Sequence, residues 1–158
     1  MEVNTRDYGV IDVDESAIIR FEDGIIGFEG YRDYVLIDDA AGQSPFRRLQ
    51  SVEDSGLAFI LLDPFSVKPD YEFMMEDDLI ERLSVENANE VVVLAIVVVP
   101  DDVKKISFNL KAPLVINANL RKGVQYVVDR SNYGVRHYLF EELERADSAR
   151  LCEDKKAV

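Results

Sequence analysis

A run of nine aliphatic residues, 91–99 (VVVLAIVVV), constrains the fold more than any other segment. Glu90 precedes it and Pro100 follows it, and it is far shorter than the roughly 20 apolar residues that a membrane-spanning helix needs. Its β-branched side chains favour an extended backbone over a helix. Because no polar residue interrupts the run, neither face can point to water, and we predict a central strand covered on both faces.

The length and composition of the chain indicate one globular domain. Its 158 residues can bury a sizeable core, and 47% hydrophobic with 31% charged residues argues against disorder. Residues 1–7 are polar and charged, and no run of about 20 apolar residues occurs, so we expect neither a signal peptide nor a membrane anchor. The single cysteine, Cys152, has no partner for an intrachain disulfide. We therefore expect a cytoplasmic protein.

The net charge of −13 is unevenly distributed along the chain. It argues against direct nucleic-acid binding, because phosphate contacts need clustered lysine and arginine, and an anionic membrane would repel it. High solubility is one explanation of the charge. A surface of one sign would also raise the rate of encounter with a basic partner. Between residues 70 and 102, one cation (Arg82) is set against ten carboxylates: Asp70, Glu72, Glu76, Asp77, Asp78, Glu81, Glu86, Glu90, Asp101 and Asp102.

Short hydrophobic segments separated by turn residues predict about nine strands. Glycines at positions 24 and 27 predict a tight turn, and residues 63–65 end a hairpin. Residues 68–72 are expected to be an extended connector, and short helices are expected at 76–83 and 141–152. The predicted strands cover residues 3–13 (a strand or hairpin), 18–21, 34–37, 46–52, 57–62, 91–99, 106–110, 113–117 and 123–128.

This strand spacing is typical of a sandwich or a barrel. The strands do not alternate with long helices, so a parallel α/β sheet is not expected. We predict a mainly β, single-domain antiparallel β-barrel-like fold with short helices over residues 1–140. Residues 141–158 are expected to form a charged C-terminal tail that is helical or disordered.

Motifs for catalysis or metal binding are sparse. The chain has one histidine and one cysteine, and it contains no phosphate-binding glycine loop or nucleophile elbow. Residues 12–15 (DVDE) are faintly similar to a calcium loop, but its glycine and closing glutamate are missing. We expect no cofactor. A carboxylate-based hydrolase, a calcium-dependent carbohydrate-binding β-barrel and a generic acidic chaperone stay open as alternatives.

Three blocks of sequence together resemble one known family. Residues 21–28 (FEDGIIGF) are similar to an F-x-x-G-I-x-G-F opening, and residues 109–117 (NLKAPLVIN) to an N-L-x-A-P-x-V-I-N closing block. The middle block is LQSVED at 49–54, DPF at 63–65 and PDY at 69–71. Accompanying positions are Arg121, Gly123, Gln125, Tyr133, Arg136 and His137.

The family that this pattern resembles is the flagellar assembly factor FliW. The resemblance covers residues 3–138, and residues from Phe140 onward fall outside it. Ile26 and Tyr138 stand where the family has proline.

The resemblance implies a non-enzymatic, cytoplasmic binding factor. Its partners would be flagellin and the carbon storage regulator CsrA, a small RNA-binding translational repressor, and the two would compete for it. Flagellin level would thereby feed back on flagellin translation. An acidic chain can attract a basic repressor and repel messenger RNA, while an edge strand or apolar groove could hold a terminal segment of flagellin. We expect a monomer.

Candidate partner-binding residues follow from charge, aromatic character and the resemblance. We expect the acidic stretch at 70–81, which lies among Phe65, Tyr71 and Phe73, to face the basic partner. The asparagines could instead bond to neighbouring backbone, and the cations could instead form structural ion pairs. Gly24, Gly27 and Gly123 are interpreted as turn glycines. The predicted partner-binding residues are Phe65, Asp70, Tyr71, Glu76, Asp77, Asp78, Asn109, Asn117, Arg121, Arg136 and His137.

Overall fold

The computed structural model describes residues 1–38, 44–130 and 132–156, with side chains to residue 147. Within these ranges the fold is mainly β, as predicted. The strands are β1 Glu2–Thr5, β2 Gly9–Asp12, β3 Ile19–Phe21, β4 Asp33–Asp38, β5 Phe46–Ser51, β6 Ala58–Leu62, β7 Val91–Val98, β8 Ser107–Phe108, β9 Leu114–Asn117, β10 Lys122–Gln125 and β11 His137–Tyr138. The helices are α1 Pro64–Val67, α2 Asp77–Leu83 and α3 Leu139–Lys156.

Seven strands close into a barrel in the order β7-β6-β5-β4-β3-β10-β9, with β9 returning to β7. All neighbouring pairs in this ring are antiparallel except β3 and β10, which are parallel. A ring with an odd number of strands cannot alternate direction throughout, so at least one parallel pair is unavoidable. The predicted antiparallel barrel-like fold is confirmed, and one of its seven strand pairs, β3 with β10, is parallel.

Strand β7 is the central strand that the aliphatic run predicts. It pairs with β6 along one edge, and along the other edge with β9 in its first half and with β8 in its second half. Val92, Leu94 and Ile96 pack in the barrel interior, whereas Ala95 and Val97 pack against the layer outside the barrel. Both faces are therefore covered up to Val97, beyond which Val98 is 60% exposed.

Three groups of residues cover the outside of the barrel. Helix α2 packs Leu79 and Leu83 onto Val115 of β9. A second cluster joins β7, α1, Tyr71, Tyr133 and the start of α3, and the β1–β2 hairpin packs onto β4. No helix in the described ranges is both long and apolar enough to cross a membrane.

Several predicted elements have different bounds. Residues 63–65, predicted as the end of a hairpin, also contain the start of a helix. The Asp63 side chain accepts a hydrogen bond from the Phe65 N–H (2.9 Å) and caps helix α1, which begins at Pro64. The expected connector at 68–72 contains a turn. The strand predicted at 106–110 is only β8, because the Asn109 side chain accepts hydrogen bonds from the backbone that follows and turns the chain.

The C-terminal segments also differ from their predictions. The strand expected at 123–128 ends at Gln125 as β10, and β11 follows it. The helix expected at 141–152 is present, and as α3 it extends further in both directions. The side chain of Cys152 lies outside the described residues. The division at residue 140 stays a prediction, and α3 runs across it.

Two of the three predicted turn glycines are confirmed. Gly24 and Gly27 have φ values of +70° and +90°, in the left-handed region that glycine adopts without strain. Gly123 is not a turn residue, because it lies inside β10 beside Phe21 of β3. A Cβ on Gly123 would lie 2.5 Å from two carbons of the Phe21 ring, so its role is to make room for that ring.

Candidate partner-binding surface

The acidic segment at 70–81 lies on the outer surface of the barrel. Leu79 and Leu83 anchor α2 to the barrel, so that the remaining faces of this helix point to solvent. Asp77 and Asp78 occupy its first turn, where the positive end of the helix dipole favours carboxylates. The exposed carboxylates of the segment are Asp70, Glu72, Glu76, Asp77, Asp78 and Glu81.

Little of this negative charge is neutralised by neighbouring cations. Asp70 lies 3.4 Å from the Lys68 ammonium, and Glu72 lies 3.3 Å from the Arg130 guanidinium. Arg82, the cation within the segment 70–102, pairs with Asp23 outside it. Among the described residues no ion pair reaches the other four carboxylates, at 76, 77, 78 and 81. The surface therefore presents negative charge to an approaching partner.

Two of the predicted contact residues are buried. The Tyr71 side chain is 2% exposed, and its hydroxyl donates a 2.9 Å hydrogen bond to the Leu110 carbonyl. This burial raises the pKa of Tyr71 well above its ordinary value. Asn117 is fully buried, and its amide donates to the Leu83 carbonyl at 2.9 Å. Both side chains point into the protein and hold α2 or the segment before it against the barrel, and their contact with a partner stays a prediction.

The other candidates lie at or near the surface. Phe65 is 42% exposed, with its ring 5.6 Å from that of Tyr71. Asn109 is half-buried and bonds to the backbone of residues 111 and 112, as its alternative interpretation proposed. Arg121 and Arg136 are exposed, and within the described ranges neither forms an ion pair.

These candidates do not form one site. Arg121 lies in the turn between β9 and β10, next to the first half of β7. His137 lies in β11, which pairs with β8 and so reaches the second half of β7. Among the predicted contact residues, those of the acidic segment and α2 are the ones that lie next to one another and share one chemical character, a negative charge.

A buried carboxylate that the sequence analysis missed lies beside His137. Glu142 of α3 is 4% exposed, and its oxygens lie 3.5 Å from the Lys68 ammonium, 3.4 Å from His137 Nδ1 and 3.0 Å from the Arg145 guanidinium. The Gly134 N–H donates to His137 Nε2 at 2.9 Å, so Nε2 is an acceptor and Nδ1 carries the proton that faces Glu142. Glu142 thus holds α3 against β11 and the end of α1. The one local sign of this role in the sequence was the i, i+3 spacing of Glu142 and Arg145, which suits an ion pair on a helix.

Two carboxylates of the calcium-like segment at residues 12–15 have hydrogen-bond partners within the protein. Asp12 accepts a hydrogen bond from the N-terminal ammonium at 3.2 Å, and Asp14 accepts one from the Ser16 N–H at 2.9 Å. Across the part of the chain that the structure describes, no group of three or more histidine, cysteine or acidic residues could hold a metal ion. The alternative of a calcium binder gains no support from the described residues, and the alternative of a carboxylate hydrolase stays open.

Comparison with known proteins decides the family. The family model described as "FliW protein" matches residues 2–139, which end at the start of α3. The chain belongs to the FliW family. The flagellar assembly factor FliW of Caldicellulosiruptor saccharolyticus is 48% identical over 141 residues, covering 89% of this chain and 91% of that protein. The FliW of Ruminiclostridium cellulolyticum is 44% identical over 147 residues, covering 93% of this chain and 99% of that protein.

A solved structure agrees with this assignment. The crystal structure of a flagellar assembly factor FliW superposes with a TM-score of 0.82 at 36% identity, covering 88% of this chain and 96% of that chain. The family resemblance found in the sequence motifs is thus confirmed. The motif at 21–28 contains the Gly24 and Gly27 turn, and the motif at 109–117 contains β9, so much of the FliW pattern describes the barrel itself.

Proposed function

We propose that this FliW-family chain is a non-enzymatic cytoplasmic factor that binds flagellin and antagonises CsrA. Free factor would hold the repressor away from flagellin messenger RNA, and accumulating flagellin would take the factor away from the repressor. Membership of a family of flagellar assembly factors supports the flagellar part of this role.

The observation that carries the regulatory part is the acidic surface of α2 and the residues before it. An RNA-binding repressor needs a basic surface for phosphate contacts. Four carboxylates of this surface have no ion pair among the described residues, so a basic surface could approach them without first displacing a cation. Charge complementarity of this kind speeds encounter and excludes acidic competitors, including RNA.

Flagellin would need a surface of different character. Phe65 of α1 is 42% exposed, and Phe140 and Leu143 of α3 are 46% and 37% exposed. Helices α1 and α3 lie against each other, so these apolar side chains belong to neighbouring elements. Exposed apolar positions on adjacent helices suit the apolar face of an amphipathic segment.

Purified proteins test this proposal directly. The chain is immobilised and exposed to CsrA alone, to flagellin alone, and to CsrA with increasing flagellin. We expect both proteins to bind singly and flagellin to release CsrA in proportion to its concentration. Failure to bind either protein would overturn the proposed function, and simultaneous binding without release would overturn the competition.

A further inference from the structure

A surface pocket of about 340 Å³ opens beside the acidic segment. Its apolar wall is formed by Phe73, Met74 and Val128, and Tyr126 also lines the pocket. The segment before α2 supplies one side of the pocket, and the chain that leaves β10 supplies the other.

The apolar wall combines a fixed part with an adaptable part. The Phe73 ring lies 5.9 Å from the Tyr126 ring and 5.7 Å from the buried Tyr71 ring, so it is held by aromatic neighbours on two sides. Met74, by contrast, is 82% exposed. Methionine is flexible and polarizable, and it recurs on surfaces that adapt to the side chain of a partner.

The charged rim of the pocket is acidic. The Arg130 guanidinium is occupied, since it lies 3.3 Å from the Glu72 carboxylate and packs 5.9 Å over the Tyr133 ring. Glu76 and Asp129 line the pocket, and neither has an ion-pair partner in the described part of the chain. Burial, and after it the charges of the nearby carboxylates Glu76, Asp129 and Asp78, raise the pKa of Tyr126.

We propose that the pocket takes one aliphatic or aromatic side chain of a basic protein segment, with a neighbouring lysine or arginine held between Glu76 and Asp129. The inference rests on the proposed function in that the basic partner supplies this segment. The volume is at the lower end of the range for small-molecule sites, about 300–1,000 Å³, and is suited to one or two side chains. The carboxylates disfavour a nucleotide, a nucleic acid or an acidic peptide.

Methyl NMR of the three methionines tests the pocket without any protein partner. The Met74 methyl signal is assigned with the variant Met74→Ser. The probes are the blocked dipeptides N-acetyl-Leu-Lys-amide, N-acetyl-Gly-Lys-amide and N-acetyl-Leu-Glu-amide. We expect saturable shifts of the Met74 signal with Leu-Lys, binding weaker by about tenfold with Gly-Lys because it lacks the apolar side chain, and no shift with Leu-Glu.

Charge-neutral variants test the role of the rim. Glu76→Gln with Asp129→Asn should abolish the preference for Leu-Lys over Leu-Glu. The matched control, Glu2→Gln with Glu15→Gln, changes two exposed carboxylates elsewhere and should leave the preference intact. Equal shifts with Leu-Lys and Gly-Lys would indicate a simple cation site and overturn the inference. Absence of any Met74 shift with Leu-Lys would also overturn it.

Binding of intact CsrA separates this inference from the proposed function. Met74→Ser should weaken CsrA binding by about tenfold, whereas Val10→Ser, at a 61% exposed position of β2, should not. If wild-type protein binds neither CsrA nor flagellin and yet Leu-Lys shifts Met74, the proposed function fails and the pocket stands. If CsrA binds wild type and Met74→Ser equally and no dipeptide shifts Met74, the pocket fails and the proposed function stands.

Discussion

Replacing Gly123 by alanine should destabilise the barrel through a single steric contact. The added Cβ would lie 2.5 Å from Cε1 and Cζ of Phe21, whereas ordinary carbon contacts are about 3.5–4.0 Å. Phe21 is fully buried and packs edge-on against Tyr34 with ring centroids 5.5 Å apart, so its ring cannot swing aside freely. Overpacking typically costs about 1–3 kcal/mol, and a required shift of at least about 1 Å places this substitution near the upper value.

Chemical denaturation and thermal melting measure this cost. A loss of about 3 kcal/mol corresponds to a fall in Tm of roughly 6–12 °C for a domain of this size. The matched control is Gly30→Ala, because a Cβ at Gly30 meets nothing within 4 Å, and we expect a change within about 0.5 kcal/mol.

A second substitution isolates the contact with the ring. Phe21→Leu removes the carbons that the new methyl group would meet, so the double variant should be at least about 1 kcal/mol more stable than the sum of the two single changes predicts. Equal stability of Gly123→Ala and Gly30→Ala, or strictly additive effects of Gly123→Ala and Phe21→Leu, would refute the steric reasoning.

Three further substitutions test buried polar groups. The Tyr34 hydroxyl is buried and no described residue bonds to it, so Tyr34→Phe should stabilise the protein in urea by up to about 1 kcal/mol. Burial also raises the pKa of Tyr34 from its ordinary value of 10 to about 12. Because the unfolded chain then loses this proton at a lower pH than the folded protein does, the free energy of unfolding falls as the pH rises from 10 to 12. Tyr34→Phe should lessen that fall in alkaline titrations. Glu142→Gln weakens the charged hydrogen bonds of this side chain and should lower the free energy of unfolding by about 1.5–3 kcal/mol. Amide hydrogen exchange should become faster in α3 but not in β4, and unchanged exchange in α3 would contradict the anchoring role of Glu142. Asn117→Ala should lower the free energy of unfolding in urea by about 2–3 kcal/mol, while the folded variant binds partners as wild type does. Weaker binding by the folded variant would instead support its predicted contact role.

Local sequence signals were sufficient to predict much of the barrel. The aliphatic run marked β7, because a strand buried on both faces needs apolar residues without alternation. The residues between β5 and β6 predicted their hairpin, and Gly24 and Gly27 predicted a left-handed turn. Each of these features depends on residues that are close together in the chain, where propensity and spacing act directly.

Features that depend on distant segments could not be predicted. The parallel pairing of β3 with β10 joins Phe21 to Gly123, and nothing near either residue specifies the other. Tyr71 was expected at the surface because it stands among carboxylates, yet its ring and hydroxyl are buried against residues far along the chain. Glu142 was hidden for the same reason, because in the sequence it is one acidic residue in a charged helix.

The rate at which CsrA associates with the chain, measured at low and high salt, tests the central claim that the acidic surface recruits a basic partner. Two triple variants change the net charge from −13 to −7, since each of three reversals adds two charges. The test variant carries Glu76→Lys, Asp77→Lys and Asp78→Lys. The control variant carries Glu2→Lys, Glu15→Lys and Glu144→Lys, at exposed positions outside the acidic segment.

Circular dichroism first confirms that both variants are folded, because Asp77 and Asp78 also favour the start of α2. At low salt we predict that association with the test variant is at least about tenfold slower than with wild type, that the control stays close to wild type, and that the difference disappears in about 0.5 M salt. Equal rates for the two variants, or a test variant that associates as fast as wild type, would contradict the account.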